Sequence, residues 1–204
     1  GGDDSGGSCV GGGEPDPATA GVAVAEWLAA RGATHLVLVG RSADRHSLEK
    51  AHREMVERIE ASGAQVTIRP LDVTDADAVA ALVEDLRTAG EPVRGVVHAA
   101  AVFDSAPVTE TTPDRFEAVF GPKVSGARHL LDAVRDDELD FVVLFSSTTS
   151  ILGVADLGAY AASNQAVDAL AARARASGRP VTAIGWGIWD VMRLASDPER
   201  DMYA

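Results

Sequence analysis

A serine, a tyrosine and an asparagine in the stretch 141–164, FVVLFSSTTSILGVADLGAYAASN, carry the groups best suited to chemistry. Ser147 ends an apolar run, Tyr160 stands thirteen positions later, and Asn164 follows one helical turn beyond Tyr160. The run reads as a buried strand, followed by a polar break, a glycine-containing loop and a helix beginning near Tyr160. A hydroxyl, a phenol and a carboxamide at the carboxyl edge of a parallel strand can hold a carbonyl oxygen and protonate it as charge develops there. A free phenol ionises near pH 10, so work near neutrality asks for a neighbouring cation. Singly, each residue has a plainer reading. A tyrosine near a helix start packs, and a serine at a strand end caps.

The elements that must position these groups follow from hydrophobic periodicity. Val22, Val24, Ala25, Leu28 and Ala29 form an apolar stripe that predicts a helix opening at Gly21, with Gly32 as its stop. Residues 35–39 (HLVLV) read as a buried strand, 48–62 as a helix, and 65–69 as a strand closing in Leu71-Asp72-Val73. A helix over 75–88 turns Val79, Leu82, Val83 and Leu86 inward; 95–98 is a strand, and one long helix covers 113–135. Strands at 141–145 and 181–186 flank a helix running from Tyr160 to about residue 177. Short strands alternating with longer helices predict an α/β fold: a single Rossmann-like domain, a doubly wound parallel sheet with helices on both faces. Such sheets bind ligands beyond the carboxyl ends of their strands. Arg41, Asp72, Ala99, Ser147 and Gly185 each follow a strand there.

Composition narrows the partners. The 204 residues are 46% hydrophobic, enough for one domain with a core. A net charge of −13 argues against nucleic acid or an anionic membrane as partner. No apolar run reaches membrane-spanning length, and no signal peptide is visible. The one cysteine, Cys9, cannot form an internal disulfide, so a cytoplasmic location is expected. No metal site is expected.

A dinucleotide site needs a strand and a glycine-rich turn opening a helix, where backbone approaches the pyrophosphate. Gly13 and Gly21 are the candidates. Glu14, Pro15, Asp16 and Pro17 lie between them, however, and only Cys9-Val10 precedes the glycines as apolar sequence. Two carboxylates beside a pyrophosphate repel it by about 1 kcal/mol each. Three explanations stay open: a degenerate loop with weak or lost cofactor binding, residues missing from this region, or a longer loop that still works. Residues 1–20 therefore read as a Gly-rich linker or an incomplete first strand and phosphate loop. Arg41 with Ser42 after the 35–39 strand suits a ribose 2′-phosphate, hence NADP rather than NAD, although Arg41 by itself reads equally as a solvated surface arginine. Asp72 could accept from an adenine amino group or serve as a turn or cap residue. His98 is expected to pack or satisfy a local hydrogen bond.

The segments AEWLAARGATHLVLVGR, LDVTD, VRGVVHAAAV, FGPKVSGARHL, FVVLFSS, AYAASNQAVDALA and AIGWGIW resemble, in order and spacing, the ketoreductases of modular polyketide synthases, within the short-chain dehydrogenase/reductase superfamily. Most short-chain reductases carry Tyr-x-x-x-Lys. This chain has Tyr160-x-x-x-Asn164, with the lysine upstream as Lys123, an exchange similar to that of the polyketide enzymes.

The resemblance implies Tyr160 as general acid, Lys123 as its cation, Ser147 as donor to the substrate carbonyl, and Asn164 as orienter of Lys123 or of a water. It implies NADPH as cofactor, with Val73, Ala99, Ala100, Gly185 and Trp186 lining its site, the last two beside the nicotinamide carboxamide. Phe103, Asp104, Leu152 and Leu157 become substrate-side residues. Phe103-Asp104-Ser105 stands where one stereochemical class carries Leu-Asp-Asp, and Leu152 where the other carries Trp. The partners implied are an acyl carrier protein bearing a phosphopantetheine-tethered β-ketoacyl group and neighbouring synthase domains. Residues 21–189 are then the catalytic domain and 190–204 part of a substrate lid, with both termini incomplete. A catalytically silent domain and a free-standing reductase on a small carbonyl compound are the alternatives.

Overall fold

The structure, a computed structural model, describes residues 17–46 and 48–187. Gly13 and the lid stretch 190–204 lie outside the described residues. Helix α1 (Pro17–Ala30) leads into strand β1 (His35–Gly40), helix α2 (Lys50–Ala61), strand β2 (Gln65–Pro70) and helix α3 (Ala76–Thr88). Strand β3 (Gly95–His98), helix α4 (Pro113–Phe120), a π-helical turn (Gly121–Ser125) and helix α5 (Gly126–Ala133) follow. Strand β4 (Phe141–Ser147), the short helix α6 (Thr149–Leu152), helix α7 (Gly158–Ala176) and strand β5 (Val181–Trp186) complete the order.

The strands are parallel, as the alternation of elements requires. Among the described residues they form two hydrogen-bonded sets, β1-β2 and β3-β4-β5, rather than one continuous sheet. A doubly wound order places one more strand between β1 and β3.

Each set carries its own apolar core. Ala25 of α1, Val56 and Ile59 of α2 and Val66 of β2 are buried together, with Leu36 and Leu38 of β1 packed against them. Ala127 and Leu131 of α5, Val142 and Leu144 of β4, Val167, Ala171 and Ala174 of α7 and Val181 of β5 form the second core. Alternation along β4 turns Val142 and Leu144 to the same face. Small residues on α7 let that helix approach the sheet closely. Gly95 of β3 lies opposite Phe141 of β4, whose ring covers it.

Three expectations about the elements are corrected. Helix α1 begins at Pro17, four residues before Gly21, so Gly21 sits inside the helix instead of opening it. Proline suits a first helical turn, and Ala18 and Ala20 are strong helix formers. The long helix expected over 113–135 is broken into α4 and α5 by the π-helical turn, which inserts one extra residue per turn. Strand β4 extends two residues past the apolar run, because Ser146 and Ser147 pair with Gly185 and Trp186 of β5. Gly32 does end α1: its φ is 99°, and Ala33 and Gly32 donate to the carbonyls of Leu28 and Ala29.

Candidate active site

Ser147 is the last residue of β4 and is buried. Its Oγ accepts from the Thr149 N–H at 3.2 Å, a local turn bond just ahead of α6, whose N-cap is Thr148. The same oxygen still carries a proton to donate to a substrate oxygen. Tyr160 lies in the first turn of α7, also buried, within a small cluster with Val119 and Ala159 that Leu157, Phe116, Ala101 and Val102 border. The Phe103 ring covers it, centroid to centroid 4.5 Å.

Lys123 sits within the π-helical turn and is only 3% exposed. Its Nζ donates to the carbonyl oxygen of Phe145 on β4 at 2.8 Å and lies 5.5 Å from the centre of the Tyr160 ring. Burial pushes the ammonium down from 10.5 to about 8, while the Asp168 carboxylate on α7 opposes that fall. A cation this close to the phenol favours its ionised form.

Asn164 is fully buried. Its Nδ2 donates to the Tyr160 carbonyl oxygen at 2.8 Å and to Thr149 Oγ1 at 3.4 Å. Asn164, expected to orient Lys123 or a water, donates to the first turn of α7, while the Phe145 carbonyl accepts from the ammonium. Among the described residues Asn164 Oδ1, buried, has no hydrogen-bond partner. A buried acceptor of this kind is commonly met by an ordered water.

The cofactor candidates lie at strand ends, as expected. Arg41 and Ser42 follow β1, Asp72 and Val73 follow β2, Ala99 and Ala100 follow β3, and Gly185 and Trp186 close β5. Arg41 is exposed and makes no hydrogen bond or ion pair among the described residues, which suits a guanidinium waiting for an anion. Asp72 Oδ1 accepts from the Thr74 backbone at 2.9 Å and its hydroxyl at 2.7 Å. These bonds, then the nearby Arg41 charge, hold its carboxyl below the usual range. Asp75, not Asp72, caps α3. An exposed guanidinium after β1 and a carboxylate after β2 fit the adenosine end of a dinucleotide; Gly13, expected in its phosphate loop, is outside the described residues.

On the substrate side, Asp104 is clamped by Arg115 through two bonds of 2.6 Å. The Arg115 guanidinium holds the Asp104 carboxyl below its ordinary value. Leu152 projects into solvent from α6, 79% exposed, and Leu157 backs the Tyr160 cluster. Sequence reasoning missed the Phe145 carbonyl, the Phe103 ring on Tyr160 and the Arg115 clamp. A backbone acceptor leaves no trace in residue type, and Arg115 reads as one more helix-surface cation.

A serine, tyrosine, lysine and asparagine gathered at the carboxyl end of a central parallel strand define a short-chain reductase type of site. Residues 18–191 match the family described as "KR domain". Among curated proteins the chain is similar to polyketide synthase GfsA of Streptomyces halstedii, 45% identical over 83% of this chain and 2% of that protein. It is also similar to the pikromycin polyketide synthase component PikAIII of Streptomyces venezuelae, 39% identical over 81% of this chain and 10% of that protein. Of solved structures, the ketoreductase from the first module of phoslactomycin biosynthesis in Streptomyces sp. HK803 superposes with TM-score 0.78 and 38% identity, over 83% of this chain and 39% of that one. An A1-type ketoreductase superposes with TM-score 0.81 and 36% identity, over 90% and 38%. The chain belongs to the KR domain family, the ketoreductase domains of polyketide synthases, and spans a small fraction of the curated relatives it matches. Among the described residues no helix is long and apolar enough to cross a membrane.

Proposed function

We propose that this domain reduces a β-ketoacyl thioester, tethered to a carrier protein's phosphopantetheine arm, to the β-hydroxyacyl thioester with NADPH. The observation that carries the reading is Lys123. An ammonium 3% exposed, held by one backbone carbonyl and set against a tyrosine ring, is costly to the fold. Proton transfer at Tyr160 gives that cost a purpose.

NADPH, when bound, supplies hydride to the carbonyl carbon. Arg41 and Ser42 would hold its 2′-phosphate, Asp72 and Val73 its adenine end, and Ala99, Ala100, Gly185 and Trp186 its nicotinamide end. Ser147 donates to the substrate oxygen and Tyr160 gives that oxygen its proton. Lys123 lowers the cost of the phenolate left behind. Asn164 fixes the first turn of α7, and so the backbone of Tyr160. Phe103 and Leu157 pack beside the phenol, and Leu152 is free to meet the acyl arm. The acyl carrier protein and neighbouring synthase domains are the partners, and the alcohol's configuration is set on the Phe103-Asp104-Ser105 side.

The test is NADPH oxidation with a β-ketoacyl thioester on a truncated pantetheine arm. Tyr160→Phe should lower kcat by about 10²–10⁴. A folded wild-type domain that binds NADPH but oxidises none would refute the reading. The carboxylates and prolines between Gly13 and Gly21 favour, as a second reading, a catalytically silent domain. NADPH fluorescence titration separates the two, because a silent domain with no phosphate cradle shows no saturable binding.

A further inference from the structure

We propose that His98 is a positioning residue for Lys123: its ring holds the backbone of the π-helical turn so that the ammonium reaches the Phe145 carbonyl. Three observations converge. His98 ends β3, is 3% exposed, and its Nε2 lies 2.9 Å from the carbonyl oxygen of Lys123 itself. The Pro122 carbonyl acts on the same ring. The turn departs from α-helical bonding at this place: Gly126 N–H donates five residues back, to Gly121, as well as to Lys123.

The physical sense is direct. In the π-helical turn the Lys123 carbonyl accepts from Gly126 N–H only three residues on, and His98 gives its second lone pair a partner from outside the helix. A carbonyl accepts only, so the His98 nitrogen facing it carries the proton, and the ring is the neutral Nε2–H form. Burial supports that state by pushing the imidazole down to about 4.

The ring is also a spacer. A Cβ on Gly126 would stand 3.1 Å from His98 Cε1 and 2.8 Å from Val73 Cγ2, so glycine is what lets the turn close onto β3. Lys123 is thus gripped twice, its backbone from β3 by His98 and its ammonium from β4 by Phe145. An alanine-rich helix without the turn would rotate the lysine away from Tyr160. The catalytic consequence rests on the function proposed above; the structural consequence does not.

The chain makes the test unusually clean, because Lys50 and Lys123 are its only lysines. Lys50 is a surface side chain, 89% exposed, and serves as the internal control. With ¹³Cε-lysine labelling, two signals titrate. His98→Gln keeps an N–H donor at the place of Nε2, and His98→Met has similar length without the donor. We expect the Gln variant to keep the wild-type Lys123 midpoint. The Met variant should raise it by about one pH unit as the ammonium slides toward water. Asp168 and Tyr160, which also face the ammonium, are unchanged in both variants. Equal Lys123 midpoints in the Gln and Met variants overturn the proposal. Should neither variant fold, the wild type decides it: a ¹⁵N spectrum near pH 6 showing His98 as the Nδ1–H tautomer, or as imidazolium, overturns it too.

Turnover adds the catalytic readout. His98→Met should lower kcat about ten- to a hundredfold with KM for the thioester unchanged. On a Lys123→Met background it should cost nothing further, because the two act through one group. Additive losses mean that His98 acts elsewhere and refute the positioning role. A Lys123→Met variant with wild-type turnover instead refutes the catalytic reading, while the titration still decides the structural one.

Discussion

Replacing Lys123 with methionine should make the domain more stable at neutral pH while removing its activity. Folding lowers the Lys123 pKa from 10.5 to about 8. A fall of about 2.5 pH units, at 1.36 kcal/mol each, places the cost of the buried charge at about 3 kcal/mol. Methionine keeps the length of the side chain and removes the charge. It also removes the bond to the Phe145 carbonyl, worth about 1–2 kcal/mol. The net gain at pH 7 is about 1–2 kcal/mol, or a few degrees in Tm for a domain of this size.

The pH dependence carries the sharper signature. Lys123 binds its proton less readily folded than unfolded. Between pH 8 and 10.5 the unfolded chain therefore holds a proton that the folded chain lacks, and stability rises with pH across that window. The methionine variant has no such group. Urea denaturation of both proteins from pH 7 to 10.5, each carrying Tyr160→Phe so that the phenol beside Lys123 does not titrate, reads the difference. The variant should lead at pH 7 and trail near pH 10.5, where the wild type keeps a neutral amine bonded to Phe145. A difference that stays flat across the window, or a variant less stable at pH 7, would show that Lys123 is not strained by burial.

Arg41→Ala should weaken NADPH binding about tenfold or more and leave NADH binding nearly unchanged, read by cofactor fluorescence; equal losses for both cofactors would remove Arg41 from the 2′-phosphate site. Gly95→Ala should cost about 1–3 kcal/mol in urea denaturation, because the new Cβ would fall 2.3 Å from the Phe141 ring. In the Gly95→Ala variant, Phe141→Leu should recover part of that loss by clearing the space.

The architecture was legible because it rests on periodicity. Short apolar runs such as HLVLV, with helical stripes such as Val79 and Val83, allow few arrangements other than parallel strands with packed helices. The grouping of the candidate residues was legible through type and spacing, since Ser147, Tyr160 and Asn164 lie within one strand-loop-helix unit. The π-helical turn was not, because FGPKVSGARHL carries helical periodicity on both sides and the turn's partner His98 is distant in sequence. The start of α1 was misjudged for a related reason. Gly21 resembles a helix-opening glycine by type, yet Pro17 to Ala20 are compatible with helix and nothing local stops them. Asp104 shows a third kind of limit: its residue type suits a substrate contact, but only the fold shows Arg115 eleven positions away occupying both of its oxygens.

The two halves of the molecule make unequal demands on the sequence. The catalytic edge is fastened on several sides: Ser147 by pairing with β5, Tyr160 through Asn164, Lys123 through Phe145 and His98. Each tie comes from the β3-β4-β5 set and its own helices, and none draws on β1 or β2. The adenosine candidates Arg41 and Asp72 belong to the other set, which no strand pairing joins to the first among the described residues. Val73, which follows β2, nonetheless reaches the second set, its carbonyl oxygen lying 3.1 Å from His129 Nδ1 on α5. Lys123 titration and NADPH binding report on these two halves separately, and a domain with a depressed Lys123 and no NADPH binding would be one whose catalytic edge outlived its cofactor site.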